Sequence, residues 1–181
     1  MSRSTRTAVC ALSITGAFAL GGCASIQDLP TERVASARLT LANGIPAGTV
    51  QLLRSGDRLT LAVAATGISS GPHGFHLHQT GECKRPDFAS AGGHLNPEGK
   101  LHGTLSAGGS HFGDLPNLII GESGTGSVTA DIPVPAEQAL EWIFDGDGTA
   151  VVVHAGPDDY KSDPAGNAGS RIACGVLERS S

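Results

Sequence analysis

Residues 75–78, Phe-His-Leu-His, restrict how this chain can fold more than any other stretch. His76 and His78 are two residues apart. On an extended strand both side chains leave the same face, whereas a helix sets them about 200° apart. The same strand turns Phe75 and Leu77 to the opposite face, where a core can take them. Four residues thus predict a strand with an apolar side and a two-imidazole side. An isolated histidine is most often an ordinary surface or core residue, so the pair gains its meaning from the rest of the chain. There are seven histidines. His73 precedes the pair, and His94, His102, His111 and His154 follow it in separate segments. That spread points to a metal site collected from distant parts of the chain.

The remaining pattern is that of a β protein. Residues 58–64 alternate, with Leu59, Leu61 and Val63 on one face. Similar short runs predict strands at 35–41, 48–53, 73–79, 117–120 and 126–132, at 143–144 with 150–154, and at 172–177. With 26 glycines, 10 prolines and no long 3.6-residue period, the expectation is an all-β sandwich or barrel of about eight strands. Two polar, glycine-rich loops interrupt it, residues 80–116 and 157–169. A loop as long as the first is unusual unless it is functional, and a bound ion would explain how it is held. Residues 137–142 read as a short helical turn without chemistry, with Trp142 in the core or at a partner surface. Lys84, Arg85 and Lys100 read as solvated loop charges.

The N-terminus reads as a processing signal. Arg3 and Arg6 precede an apolar run over residues 8–20 that is short for a membrane span and suits a secretory leader. Leu20-Gly21-Gly22-Cys23 then resembles the lipidation box of bacterial lipoproteins, with Cys23 as the lipid-bearing residue. The expected organisation is a leader over 1–22, a tether over 23–34 and one domain over 35–181, exported to the periplasmic side and anchored to the membrane through Cys23. An ordinary leader cut near Ala24 is the alternative. Beyond residue 22 the chain keeps 10 of its 12 basic residues and all 17 acidic ones, a formal charge of −7. That balance excludes a nucleic-acid partner, which needs a basic surface. Cys83 and Cys174 remain as an even pair, for which a disulfide is the default in an exported protein. It would close a loop of roughly 90 residues and contribute about 4–5 kcal/mol on a chain-entropy argument.

The second histidine cluster lies in the first loop. Three imidazoles, His94, His102 and His111, and the carboxylate of Asp114 form a complete tetrahedral zinc set with no open position, the pattern of a structural zinc.

Four motifs together, Gly74-Phe75-His76-Leu77-His78, Ala91-Gly92-Gly93-His94, residues 111–116 (His-Phe-Gly-Asp-Leu-Pro) and residues 166–176 (Gly-Asn-Ala-Gly-Ser-Arg-Ile-Ala-Cys-Gly-Val), resemble the bacterial copper–zinc superoxide dismutases over residues 35–179. The resemblance implies an eight-stranded antiparallel Greek-key sandwich or flattened barrel with two functional loops. It implies copper and zinc as cofactors and superoxide as substrate, dismuted to dioxygen and hydrogen peroxide. His76, His78, His94 and His154 match the copper ligands, and His94 the imidazole shared with zinc. His94, His102, His111 and Asp114 match the zinc ligands, with spacings of eight, nine and three. Asp158 matches a carboxylate that ties His76 to His102, and Arg171 the cation beside copper. Cys83 and Cys174 match the family's disulfide, and His73 a residue that orders the loop around the site. Lys161 is a candidate outer guide for the anion. The competing reading is a periplasmic copper or zinc buffer or chaperone domain on the same scaffold, against which Arg171 argues, since storage needs no anion-guiding cation. The sequence leaves the oligomeric state open.

Overall fold

The structure, a computed structural model, describes residues 31–181. The leader, Cys23 and the tether up to residue 30 lie outside the described residues. The first strand, β1 (Glu32–Leu41), takes in residues 32–34 that the tether was expected to include. It is followed by β2 (Pro46–Ser55), β3 (Arg58–Thr66), β4 (Gly71–His73), β5 (Phe75–His78), β6 (Leu118–Ile120), β7 (Thr125–Asp131), helix α1 (Ala136–Ile143), β8 (Ala150–His154), β9 (Arg171–Val176) and β10 (Glu178–Arg179).

Eight of these strands form one curled antiparallel sheet in the order β5-β8-β9-β1-β2-β3-β7, with β10 added to β1; β4 and β6 form a second, two-stranded sheet. The period-2 pattern explains which face closes on the core. Leu59, Leu61, Val63 and Ala65 of β3 are buried alternately, as are Ala35, Ala37 and Leu39 of β1. In β2 the alternation slips between Ala47 and Val50. Gly48 sits at the slip with φ +133°, 2.8 Å from Ala65 Cα at its Cβ position, so a side chain has no room there.

Two expectations are corrected. Residues 143–144 are not a strand, because Ile143 ends α1 and Phe144 donates its N–H to Leu140. The segment Ala-Glu-Gln-Ala-Leu-Glu-Trp-Ile is made of good helix formers, and Ala136, Ala139 and Ile143 recur at helical spacing on its buried face. The helical turn expected at 137–142 is therefore longer than the pattern implied. The strand expected over 73–79 is two strands in two sheets, broken at Gly74. Gly74 accepts the His154 N–H and donates to Gly156, both at 2.8 Å. A Cβ there would lie 2.7 Å from Ala168 Cβ.

β5 and β8 are buried along their whole length. Phe75, Leu77, Val151 and Val153 enter the main core, while Val152 and Ala150 pack with Phe88, Ala91 and Cys174 under the first loop. The loops thus cover the outer face of these two strands, where β5 presents its histidines.

Candidate metal centre

His76 and His78 leave the outer face of β5, and His154 stands at the end of the adjacent β8. The first loop reaches them because its backbone bonds along β5. Leu77 donates to Gly113, Leu95 to Leu77 and Gln79 to Gly93, at 2.9, 2.8 and 3.0 Å. His94 is brought opposite His78 in this way. A Cβ on Gly113 would collide with the Leu77 carbonyl, so only glycine lets the loop close.

Hydrogen bonds decide which nitrogen each ring presents. His78 Nδ1 faces the Gly92 carbonyl and His154 Nδ1 the Gly169 carbonyl, both at 3.0 Å. His76 Nε2 faces Asp158 Oδ2 and His102 Nε2 faces Asp158 Oδ1, both at 2.9 Å. Each ring donates there and turns its other nitrogen inward. His76 Nδ1, His78 Nε2, His94 Nε2 and His154 Nε2 are buried and have no hydrogen-bond partner. The four rings converge, with ligand atoms within 4.8 Å of one another. Buried polar atoms are almost always paired, so four convergent lone pairs are explained by a cation among them. An all-imidazole set suits copper.

The second cluster is tighter. Asp114 Oδ1 lies 2.9 Å from His94 Nδ1, 3.0 Å from His102 Nδ1 and 3.2 Å from His111 Nδ1; His94 and His111 Nδ1 are 3.4 Å apart. Tetrahedral zinc with bonds of about 2.0–2.2 Å spaces its ligand atoms by about 3.3–3.6 Å, close to this arrangement. His102 Nε2 is taken by Asp158, so it is Nδ1, buried and without a hydrogen-bond partner, that turns toward the cluster. Asp114 Oδ2 is held by the N–H groups of Gly103 and His111, at 2.8 and 2.9 Å, which leaves Oδ1 for the cluster.

Electrostatics keep the imidazoles available. Burial, reinforced by the charge of neighbouring rings, pushes His78 down to about 2 and His154 and His94 down to about 4. All three are neutral at pH 7. For Asp114, burial works upward but the His94 and Gly103 hydrogen bonds outweigh it and hold the carboxyl at about 2. Asp158 is likewise held well below the usual carboxylate range, its burial cost outweighed by donors from His76, His102 and Tyr160.

Arg171, at the start of β9, donates to the carbonyls of Phe88 and Gly92, both at 2.6 Å. The Cys83–Cys174 disulfide ties the loop bearing those carbonyls to the same strand. Arg171 lines a cavity of about 390 Å³ with His78, His94, His111, His154 and Gln79. His73 is buried between the carbonyls of His154, at 2.7 Å, and Ser69, at 2.9 Å, and takes no place in either cluster. Lys161 is exposed and does not line the cavity.

Sequence reasoning missed the residues that hold Asp158 and His102. Asn117 pairs with its backbone in both directions, at 2.8 and 2.9 Å. Asp163 accepts the His102 N–H at 2.8 Å. A Cβ on Gly166 would collide with Asp158 Oδ1 and lie 2.7 Å from His102 Nε2. No spacing marks Asn117 or Asp163, while Gly166 stands in a glycine-rich motif whose close approach could have been asked about.

Residues 46–177 match the family described as copper/zinc superoxide dismutase (SODC). The chain is 41% identical over 167 residues to the Cu-Zn superoxide dismutase 2 of Aquifex aeolicus, covering 91% of this chain and 95% of that protein. It is 34% identical over 173 residues to the Cu-Zn superoxide dismutase of Caulobacter vibrioides, covering 92% and 98%. The crystal structure of a SOD-like protein from Bacillus subtilis superposes with a TM-score of 0.73 at 37% identity, over 79% of this chain and 97% of that one.

Proposed function

The chain belongs to the copper/zinc superoxide dismutase family and is a superoxide dismutase that uses copper and zinc; on that premise we propose how its residues divide the work. His76, His78, His94 and His154 hold copper, and His94, His102, His111 and Asp114 hold zinc. The observation that carries this reading is the set of four buried, unpartnered ring nitrogens, on His76, His78, His94 and His154. Copper supplies one-electron exchange between Cu(II) and Cu(I), and zinc a fixed positive charge.

Two superoxide anions and two protons yield one dioxygen and one hydrogen peroxide. The chain supplies attraction, orientation and a proton for this reaction. Arg171, its guanidinium fixed by two carbonyls, presents positive charge to the cavity and draws the anion to one wall. His94 Nδ1 faces the Asp114 carboxylate, and its Nε2 has no protein acceptor. When not engaged by copper, Nε2 would be the atom that takes up a proton and passes it to the departing peroxide. Asp158 fixes the tautomers of His76 and His102 together, so the two halves keep one geometry.

We further propose that the protein is exported and held at a membrane by lipid on Cys23. The leader-like run over 8–20, the Leu20-Gly21-Gly22-Cys23 box and the intact disulfide support this. A single acyl chain binds a membrane only marginally, so stable anchoring calls for more than one. Cys23→Ser should move the protein from the membrane fraction to the soluble one; retention in the membrane would place the anchor elsewhere.

The activity test is superoxide consumption by the copper- and zinc-loaded protein, followed by pulse radiolysis. Consumption that scales with copper content is expected. A fully loaded protein that leaves superoxide at its spontaneous rate would reduce the site to metal storage.

A further inference from the structure

Tyr160, the single tyrosine of the chain, bonds the segments that carry His102, Asp114 and Asp158 without being a ligand. Its N–H donates at 2.7 Å to Asp158 Oδ1, the oxygen that also takes the His102 Nε2–H. Its carbonyl accepts from Leu105 at 3.0 Å, three residues after His102. Its hydroxyl accepts the Asn117 N–H at 2.7 Å, three residues after Asp114. Asn117 in turn pairs with the Asp158 backbone in both directions. Tyr160 lines a cavity of about 220 Å³ together with Thr104, Asp114, Leu115 and Pro116.

This convergence depends on an unusual backbone. Tyr160 has φ +59°, a left-handed conformation that non-glycine residues seldom adopt. A Cβ at Gly103 would lie 2.5 Å from the Lys161 nitrogen, so the zinc loop passes directly against the Tyr160–Lys161 peptide. A surface tyrosine needs none of this. A strained residue with three separate bonds to one site is over-determined by its surroundings, as strained residues at functional sites are.

We propose that Tyr160 is a positioning residue for the zinc half, clamping the loops that carry His102, Asp114 and Asp158 so that the three-imidazole, one-carboxylate set is held to a single geometry. The inference rests on the reading that His94, His102, His111 and Asp114 hold zinc. The copper half has no direct bond to Tyr160; His78 and His154 are oriented by Gly92 and Gly169.

The test uses cobalt(II) as the zinc probe in the full mature protein carrying copper. Tyr160→Phe keeps the ring and both backbone bonds and deletes only the acceptor for Asn117 N–H. Loss of the acceptor for this partly buried donor loosens the Asn117 segment, so cobalt release to a chelator should quicken about tenfold. The ligand-field bands of bound cobalt should shift, and the copper EPR spectrum should stay unchanged. A purely structural tyrosine would lower the melting temperature without moving the cobalt bands. Unchanged bands and release rate in Tyr160→Phe would overturn the proposal. Should that variant not fold, the ultraviolet difference spectrum of the parent on cobalt binding decides: a perturbed Tyr160 band is expected, and its absence overturns the proposal. Failure of the parent to bind cobalt at all would instead sink the zinc assignment beneath it.

Discussion

The two halves of the centre are built by different means. In the half we assign to copper, three of the four histidines sit on strands β5 and β8, and two of those are oriented by backbone carbonyls. In the half we assign to zinc, every residue comes from the loop between β5 and β6, and His102 is oriented by side chains of a second loop, Asp158 and Asp163. Hydrogen-bonded strands buried on both faces hold their side chains at fixed positions without help. A loop holds them only while its cross-links last. The strand-borne half should therefore be preformed, and the loop-borne half should depend on metal and on ties between loops.

His94 is where that contrast can be broken most completely. It is the one residue with a nitrogen in each cluster. His94→Ala should remove activity to background and lower both copper and zinc retention. Elemental analysis finding full zinc occupancy in that variant would falsify the shared role.

Asp158 separates the halves by degree. Asp158→Asn weakens the orientation of both His76 and His102, and a lost carboxylate behind a metal ligand typically costs 10–100-fold in metal affinity. The loop-borne half should suffer more, because His76 keeps its strand. Competitive chelation of each metal measures this; equal losses would contradict the difference in rigidity.

Arg171→Glu tests the cavity both halves share. The second-order rate should fall by about tenfold or more while copper stays bound, and the parent rate should decline with salt. Lys161→Glu should change the rate far less, since that side chain is exposed and outside the cavity lining. Pulse radiolysis across ionic strength compares them; a salt-independent parent rate, unchanged in Arg171→Glu, would remove electrostatic guidance from the account.

A separate readout is the pH dependence of the metal-free protein. His78, His94 and His154 are lowered to about 2, 4 and 4 by burial, from about 6.5 in the unfolded chain. The unfolded state then binds more protons below pH 6.5, so stability should fall as pH drops from 6.5 toward 4. Asp114, held at about 2, contributes stability above pH 4 and loses it as pH falls toward 2. Urea midpoints across this range should show the first decline before the second; a flat profile from pH 7 to 4 would mean that the histidines are not buried as neutral rings.

The strand-borne half was open to sequence reading because a period of two is a local property. His76 and His78 at i, i+2 with Phe75 and Leu77 between them could satisfy both a core and a metal only as a strand, and β5 does so. The alternation of β3 was legible for the same reason, while the disulfide that joins Cys83 to Cys174 was legible from the even cysteine count. Tertiary contact alone decided what these patterns lack. The break at Gly74 depends on partners in β8 and at residue 156, and the helical turn expected at 137–142 runs on to Ile143 because that side chain joins the buried face. Asn117, Asp163 and Tyr160 act through hydrogen bonds that span 41 to 61 residues of sequence. No residue-type preference or spacing encodes such a bond, because its value arises only once folding has removed the water that either partner would otherwise have used.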